Sequence, residues 1–275
     1  MSSLFISIYL LYFSSTYSLS LRRQMTGKMC KNCDQEIQQN FCAFCGQKTS
    51  VEPLTTTRLI KEVSDNVFQV NHGLFYSIKA LTLHPALSIN NYLSGKRKQY
   101  FQPIAYAFTL ATLYYLITKV IGHSTFVDQI FEGYMLSVEN KNTNTGEVNV
   151  NLIEWLTSNY AYTTLLLVPL FALGTRIAYF NGDKNLLEHL VLNLYITGHQ
   201  SLIYGISAVI GLVVNNEDLM EAITLLCSMA YAIFVLTTFF NNKHVLVRIS
   251  QALLSYIVAF LFIVLFLGVM MFDGS

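Results

Sequence analysis

The cysteines are the first residues that could do chemistry. Cys30 and Cys33, then Cys42 and Cys45, form two C-x2-C pairs with eight residues between them, and Gly46 follows the last. Tight turns of this kind let two thiolates approach one ion at about 2.3 Å, and two such turns supply the tetrahedral four-thiolate shell of a structural zinc site. A closed shell leaves no position for water. The interval is shorter than in a usual zinc ribbon, so two knuckles on a very small hairpin are expected. Phe41 and Phe44 are expected to cover the sulfurs, and Gly46 to supply a positive φ where the backbone turns back. One or two disulfides, or redox use, is the alternative chemistry of the same pattern. In a reducing compartment the pattern reads as metal binding. With hardly any core of its own, such a head is ordered by its metal. Lys31 and Lys48 are offset by Asp34 and Glu36, leaving no basic stripe, so nucleic acid is not an expected partner. Cys227, between Leu226 and Ser228 in an apolar run, reads as a small packing residue.

A second constellation lies in "NLLEHLVLNLYITGHQSLIYG". At helical pitch Glu188, Tyr195 and His199 fall within about 40° of one another, with His189, Asn193, Gln200 and Tyr204 in an adjoining sector. Leu187, Leu190, Val191, Leu194 and Leu202 take the opposite side. Ionisable groups inside a span are costly and by default mark function. Glu188, His189, Asn193, His199 and Gln200 are therefore an intramembrane polar site, read either as an ion, proton or headgroup pathway or as a set of interhelical hydrogen bonds. No H-E-x-x-H, G-x-S-x-G, P-loop or dinucleotide fingerprint is present. Asp183, Glu188, His189 and His244 are the inner-face groups a lipid-active enzyme could use, and no catalytic residue is assigned.

The elements that must hold these groups are membrane helices. In a chain of 275 residues, 53% are hydrophobic and 12% charged, against about 25% charged in soluble domains. Five apolar stretches, near 102–121, 160–180, 187–214, 219–240 and 247–272, reach the roughly 20 residues that a hydrocarbon core of about 30 Å requires. None alternates like a barrel strand. The expected fold is thus an all-α integral membrane bundle of about five transmembrane helices with a small N-terminal four-cysteine zinc-knuckle head. Its parts are an apolar N-terminal extension at 1–24, the zinc ribbon at 25–50, an amphipathic juxtamembrane region at 51–101 and the bundle at 102–275. The extension lacks the basic start and cleavage site of a signal peptide. It reads as a frame extension ahead of Met25 or as a weak sixth span.

Cations set the orientation. Arg22, Arg23, Lys28, Lys31, Lys48, Arg58, Lys61, Lys79, Lys96, Arg97 and Lys98 precede the first span. Arg176 and Lys184 join the second to the third, and Lys243 and Arg248 the fourth to the fifth, whereas the 122–159 loop sets Lys141 against Asp128, Glu132, Glu139, Glu147 and Glu154. The positive-inside rule then expects an inner-membrane protein with a cytoplasmic head and its C-terminus outside, Lys119 dissenting. The acidic, Asn- and Thr-rich loop reads as a plain connector, with Trp155 as an interface anchor.

Between head and bundle, residues 55–71 carry Leu59 or Ile60, Val63, Val67 and Val70 at amphipathic helical spacing. A second short helix is expected to open at Pro85 and end at Gly95. In "GKRKQYFQP", Lys96, Arg97 and Lys98 stand at headgroup level, each worth about 1 kcal/mol of attraction to anionic lipid. Tyr100 and Phe101 resemble an aromatic belt.

Read with the knuckles and the polar third span, the box Gly95-Lys96-Arg97-x-x-Tyr100-x-x-Pro103 resembles that of uncharacterised bacterial zinc-ribbon-headed multi-pass membrane proteins, a domain of unknown function. The resemblance covers roughly residues 28–240 and departs at His84-Pro85-Ala86, where the family tends to have Pro-Gly. It implies the architecture and an inner-membrane location, and no activity. The expected function is non-enzymatic docking, scaffolding or sensing, with membrane lipids and a cytosolic or membrane protein, or a second copy, as partners. A small transporter or channel using the polar third span, and a lipid-active enzyme, are the alternatives.

Overall fold

The computed structural model describes residues 28–37, 39–48, 55, 73–139, 150–214, 216–241 and 244–272. The extension at 1–24, the centre of the acidic loop at 140–149 and, apart from Thr55, the amphipathic helix expected over 55–71 lie outside the described residues. The chain divides into two compact units.

One unit joins the cysteine head to residues 94–98. Strands β1 (Lys28–Met29) and β2 (Glu36–Ile37) pair antiparallel, with Lys28 opposite Ile37 and Met29 opposite Glu36. A single bridge, Phe41 to Lys48, flanks the second knuckle in the same way.

The other unit is helical: α1 (Gly73–Leu83), α2 (Pro85–Leu93), α3 (Pro103–Ile121), α4 (Phe126–Glu139), α5 (Val150–Ser158), α6 (Tyr160–Ala178), α7 (Leu186–Gly211), α8 (Glu217–Phe239) and α9 (Val245–Phe272). Local chemistry sets their ends. Pro103 opens α3 at a position where its missing N–H costs nothing, and Gly122, at φ 80°, closes it with its N–H on the Thr118 carbonyl. Asn185 and Glu188 form a reciprocal capping box at the start of α7. Asn216 accepts from the Leu219 amide at the start of α8.

Among the described residues four helices, not five, are long and apolar enough to cross a membrane: Pro103–Ile121, Tyr160–Ala178, Leu219–Phe239 and Val245–Phe266. The expected third span corresponds to α7, whose 26 residues give it about 39 Å but whose polar groups exclude it by composition. Of those groups His189, Asn193 and His199 are buried within the protein, and Glu188 and Gln200 are half-buried. α7 is the central element, packed by α3, α6 and α8 and touched by α1 and α2. Val191, Leu192, Asn193, Leu194, Tyr195 and Ile196 are all buried in succession, so burial runs right round the helix. The two-sided division expected from the helical wheel is replaced by protein on every side. α1 and α2 pack against it through Leu74, Leu81, Ile89 and Tyr92, with Tyr195 donating to the Phe101 carbonyl at 2.7 Å.

Candidate metal centre and the polar core helix

The two knuckles are built alike. The Cys30 amide donates to the Gln35 carbonyl and the Asp34 amide to the Cys30 carbonyl, at 2.8 and 2.9 Å. Twelve residues later, the Cys42 amide donates to the Gln47 carbonyl and the Gly46 amide to the Cys42 carbonyl, both at 2.8 Å. Each turn needs a positive φ after its second cysteine, met by Gly46 at 70° and by Asp34 at 56°. Asp is one of the few side-chain-bearing residues that accept this conformation. The matching sequence unit is C-x-x-C-x-Q, present twice.

This geometry brings all four sulfurs together. Cys30 Sγ lies 3.6 Å from Cys45 Sγ and Cys33 Sγ 3.5 Å from Cys42 Sγ, and all four lie within 4.8 Å of one another. A tetrahedron with bonds of about 2.3 Å has edges of about 3.8 Å, so the shell fits a zinc-sized ion. A disulfide would need about 2.05 Å, and all four cysteines are free. The sulfurs differ in acidity. The Cys45 amide, helped by the Phe44 amide and by Cys33 and Cys45, draws the Cys42 thiol down to about 6 against the effect of burial. Although the Gln35 amide lowers it, burial and hydrogen bonds from Cys45, Cys42 and Cys30 push Cys33 up to about 12. Four sulfurs at this range do not all ionise without a cation among them. An ion held here would supply that charge and fix the two turns.

One expectation about the head changes. Phe41 and Phe44 do not cover the sulfurs: they are 59% and 79% exposed. Backbone turns and Ile37 enclose the cluster instead. The residue that sequence reasoning missed is Gln47, 6% exposed. Its Nε2 donates to the Gly95 carbonyl at 2.9 Å, while its Oε1 accepts from the Arg97 and Lys98 amides at 3.2 and 3.3 Å. The repeat C-x-x-C-x-Q was the available signal. Lys96, Arg97 and Lys98, read as a headgroup site, thus have their backbone in the unit that holds the cysteines.

In α7 the predicted polar residues separate into distinct groups. Glu188 belongs to the capping box, with an ion pair to Lys184 at 3.6 Å. His189 Nδ1 and Asn193 Nδ2 both meet Thr175 Oγ1 of α6, at 3.0 and 2.9 Å. His189 also stacks on Phe240, and among the described residues its buried Nε2 has no hydrogen-bond partner. His199 uses both nitrogens, Nδ1 with Tyr106 OH at 2.8 Å and Nε2 with Thr82 Oγ1 at 3.3 Å, and stacks on Tyr231. Gln200 Nε2 donates to Ser228 Oγ of α8 at 3.0 Å. Glu188 caps α7 itself, while the other four residues tie it to α6, α3, α1 and α8. Replacing His199 by Leu leaves the buried Tyr106 hydroxyl without its partner, an expected cost of roughly 1–3 kcal/mol. Thermal unfolding in detergent micelles should show a lower midpoint for His199→Leu than for the natural protein.

No curated protein and no solved structure matches the chain. The model of the family described as a protein of unknown function (DUF3667) matches residues 72–115, a segment that holds α1, α2, the Gly95-to-Pro103 box and most of α3, and that stops short of the cysteines.

Proposed function

We propose that this is a non-enzymatic docking or scaffold protein of the inner, cytoplasmic membrane. Its cytosolic head holds one structural zinc ion through Cys30, Cys33, Cys42 and Cys45. The convergence of four sulfurs at tetrahedral spacing carries the reading. A shell closed by four thiolates has no position left for water, so its ion orders the chain and hydrolyses nothing. Docking is supported by Met29, Phe41 and Phe44, large apolar side chains exposed on so small a head, since exposed aromatic and Met side chains are the usual anchors of protein interfaces. The partner is a cytosolic or membrane protein, or a second copy, with anionic lipid engaged by Lys96, Arg97 and Lys98. α7 crosses the membrane as a fifth helix, its polar groups sheathed by α3, α6 and α8, which leaves the C-terminus outside.

The test is purification of the full-length protein from native membranes, with metal analysis and native mass on the same sample. A single zinc per chain is expected, in a complex larger than the protomer. A Phe41→Ser/Phe44→Ser variant is expected to keep the ion and lose the larger complex. Absence of metal removes the zinc reading; a complex indifferent to both substitutions removes the docking reading. A small transporter using α7 is the second reading, favoured by the buried Nε2 of His189, which has no hydrogen-bond partner among the described residues. It requires solute flux in proteoliposomes that a His189→Phe variant abolishes.

A further inference from the structure

Gln47 stands two residues after Cys45, and its carbonyl closes the second knuckle by accepting the Cys42 amide at 2.8 Å. Its backbone is therefore placed by the same turn that aims Cys42 and Cys45. Its side chain is buried and binds the Gly95 carbonyl and the Arg97 and Lys98 amides, three backbone groups lying 48 to 51 positions further along the chain. An amide side chain offers a donor and a two-lone-pair acceptor, so one Gln can hold both ends of a loop. The loop it grips has a specific shape: Gly95 sits at φ 106°, where side-chain-bearing residues are strained. Lys98 lies against the knuckle itself. A Cβ at Gly46 would be 3.7 Å from Lys98 Cε and 3.9 Å from its Nζ. A dication inside four thiolates would keep a net negative charge, and Lys98 is the cation that lies beside this knuckle. The equivalent residue of the first knuckle, Gln35, is exposed. The head thus holds the basic loop through its second knuckle.

We infer that metal in the four-cysteine head sets the conformation of the Gly95–Lys98 loop, with Gln47 as the positioning residue that couples them. This rests on the metal reading above and adds its regulation. Without the ion the head has, among the described residues, Ile37 and its own thiols for an apolar core. The second knuckle then relaxes, Gln47 loses its placement and its three hydrogen bonds are lost together. With the ion bound, the backbone that carries Lys96, Arg97 and Lys98 is held in one conformation. Metal supply therefore decides whether that loop is held or released.

The loop contains three trypsin sites, after Lys96, Arg97 and Lys98, which permits a direct test on the full-length protein in detergent micelles. Zinc-loaded protein, and protein treated with a chelator that is then removed, are digested briefly, and cleavage within 96–98 is followed by mass spectrometry. Cleavage there is expected to be at least about tenfold slower in the loaded protein, on the scale of losing several modest hydrogen bonds at once. Gln47→Leu should retain the ion by metal analysis and yet be cleaved at the chelated rate whether loaded or not. Gln47→Glu, which keeps the acceptor for the Arg97 and Lys98 amides, should restore most of the protection. The inference is overturned if chelation leaves loop cleavage unchanged in a protein shown to hold metal, or if loaded Gln47→Leu is as protected as the natural protein. If Gln47→Leu does not hold the ion, loaded Gln47→Glu decides: protection supports the coupling, and cleavage at the chelated rate overturns it. A natural protein that purifies without metal overturns the zinc reading itself, a distinct outcome read from the metal analysis.

Discussion

Replacing Cys30 and Cys33 together by serine is expected to abolish metal binding and to unfold the head while leaving the helical unit intact. The double change removes half of the shell and one whole knuckle. Among the described residues, what then remains of the head's apolar interior is Ile37 with Cys42 and Cys45, far too little apolar surface to offset the entropy of ordering the segment at about 1–2 kcal/mol per residue. Apparent binding energies of about 10–16 kcal/mol for structural zinc in small domains show how completely such a fold depends on its ion. Metal analysis should fall to background, and amide exchange across 28–48 should become fast. Exchange in α7, whose packing lies in the other unit, should be unchanged. Slow exchange in the metal-free head would mean that the knuckles fold without an ion, and the structural role assigned to zinc would be abandoned.

The second large effect is expected at two glycines in the bundle. A Cβ at Gly174 of α6 would lie 2.5 Å from the Ser255 carbonyl oxygen and 3.0 Å from the Ala259 amide nitrogen of α9. At Gly198 of α7 it would lie 2.7 Å from Tyr106 Cδ1 and 2.9 Å from Ala107 Cα of α3. Most of these neighbours are backbone, which cannot move aside alone. In lipid no hydrophobic drive presses helices together, so close approach at small residues supplies much of the association. Gly174→Ala and Gly198→Ala should each destabilise the bundle by roughly 1–3 kcal/mol or more through overpacking. Helix propensity acts in the other direction, by about 1 kcal/mol in favour of Ala, so a net loss of stability identifies the steric effect. Gly198→Ala should also disturb the Tyr106–His199 hydrogen bond. Gly211, whose Cβ would meet nothing within 4 Å, is the control, and Gly211→Ala should be neutral or slightly stabilising. Thermal unfolding in micelles compares all three. Equal midpoints for the Gly174, Gly198 and Gly211 variants would show that α3, α6, α7 and α9 do not pack this closely.

Several features were legible from residue type and spacing alone. The two C-x2-C pairs announce four convergent thiolates, because a turn that short offers few other arrangements. Pro85 and Pro103 mark helix starts and Gly46 a positive φ, each for a local steric reason. The apolar lengths of α3, α6, α8 and α9 mark them as long and apolar enough to cross a membrane, since hydropathy and length are additive properties of a segment. Even the capping role of Glu188 was written in Asn185-Leu-Leu-Glu188, a spacing that competes with its reading as an intramembrane charge.

What only the tertiary structure decided is which side chains meet across long sequence separations. Residue type cannot say that Phe41 and Phe44 point away from the sulfurs while Ile37 turns in, because strands this short carry no alternation to read. Nor can it say that Gln47 grips a loop about fifty residues later while Gln35, in the same repeat, does not. The polar residues of α7 look alike on a helical wheel, yet one caps its helix, two share Thr175, one bridges Tyr106 to Thr82 and one holds Ser228. A wheel records the angle of a side chain but not the partner waiting there. For a buried polar group, the partner determines both its cost and its role.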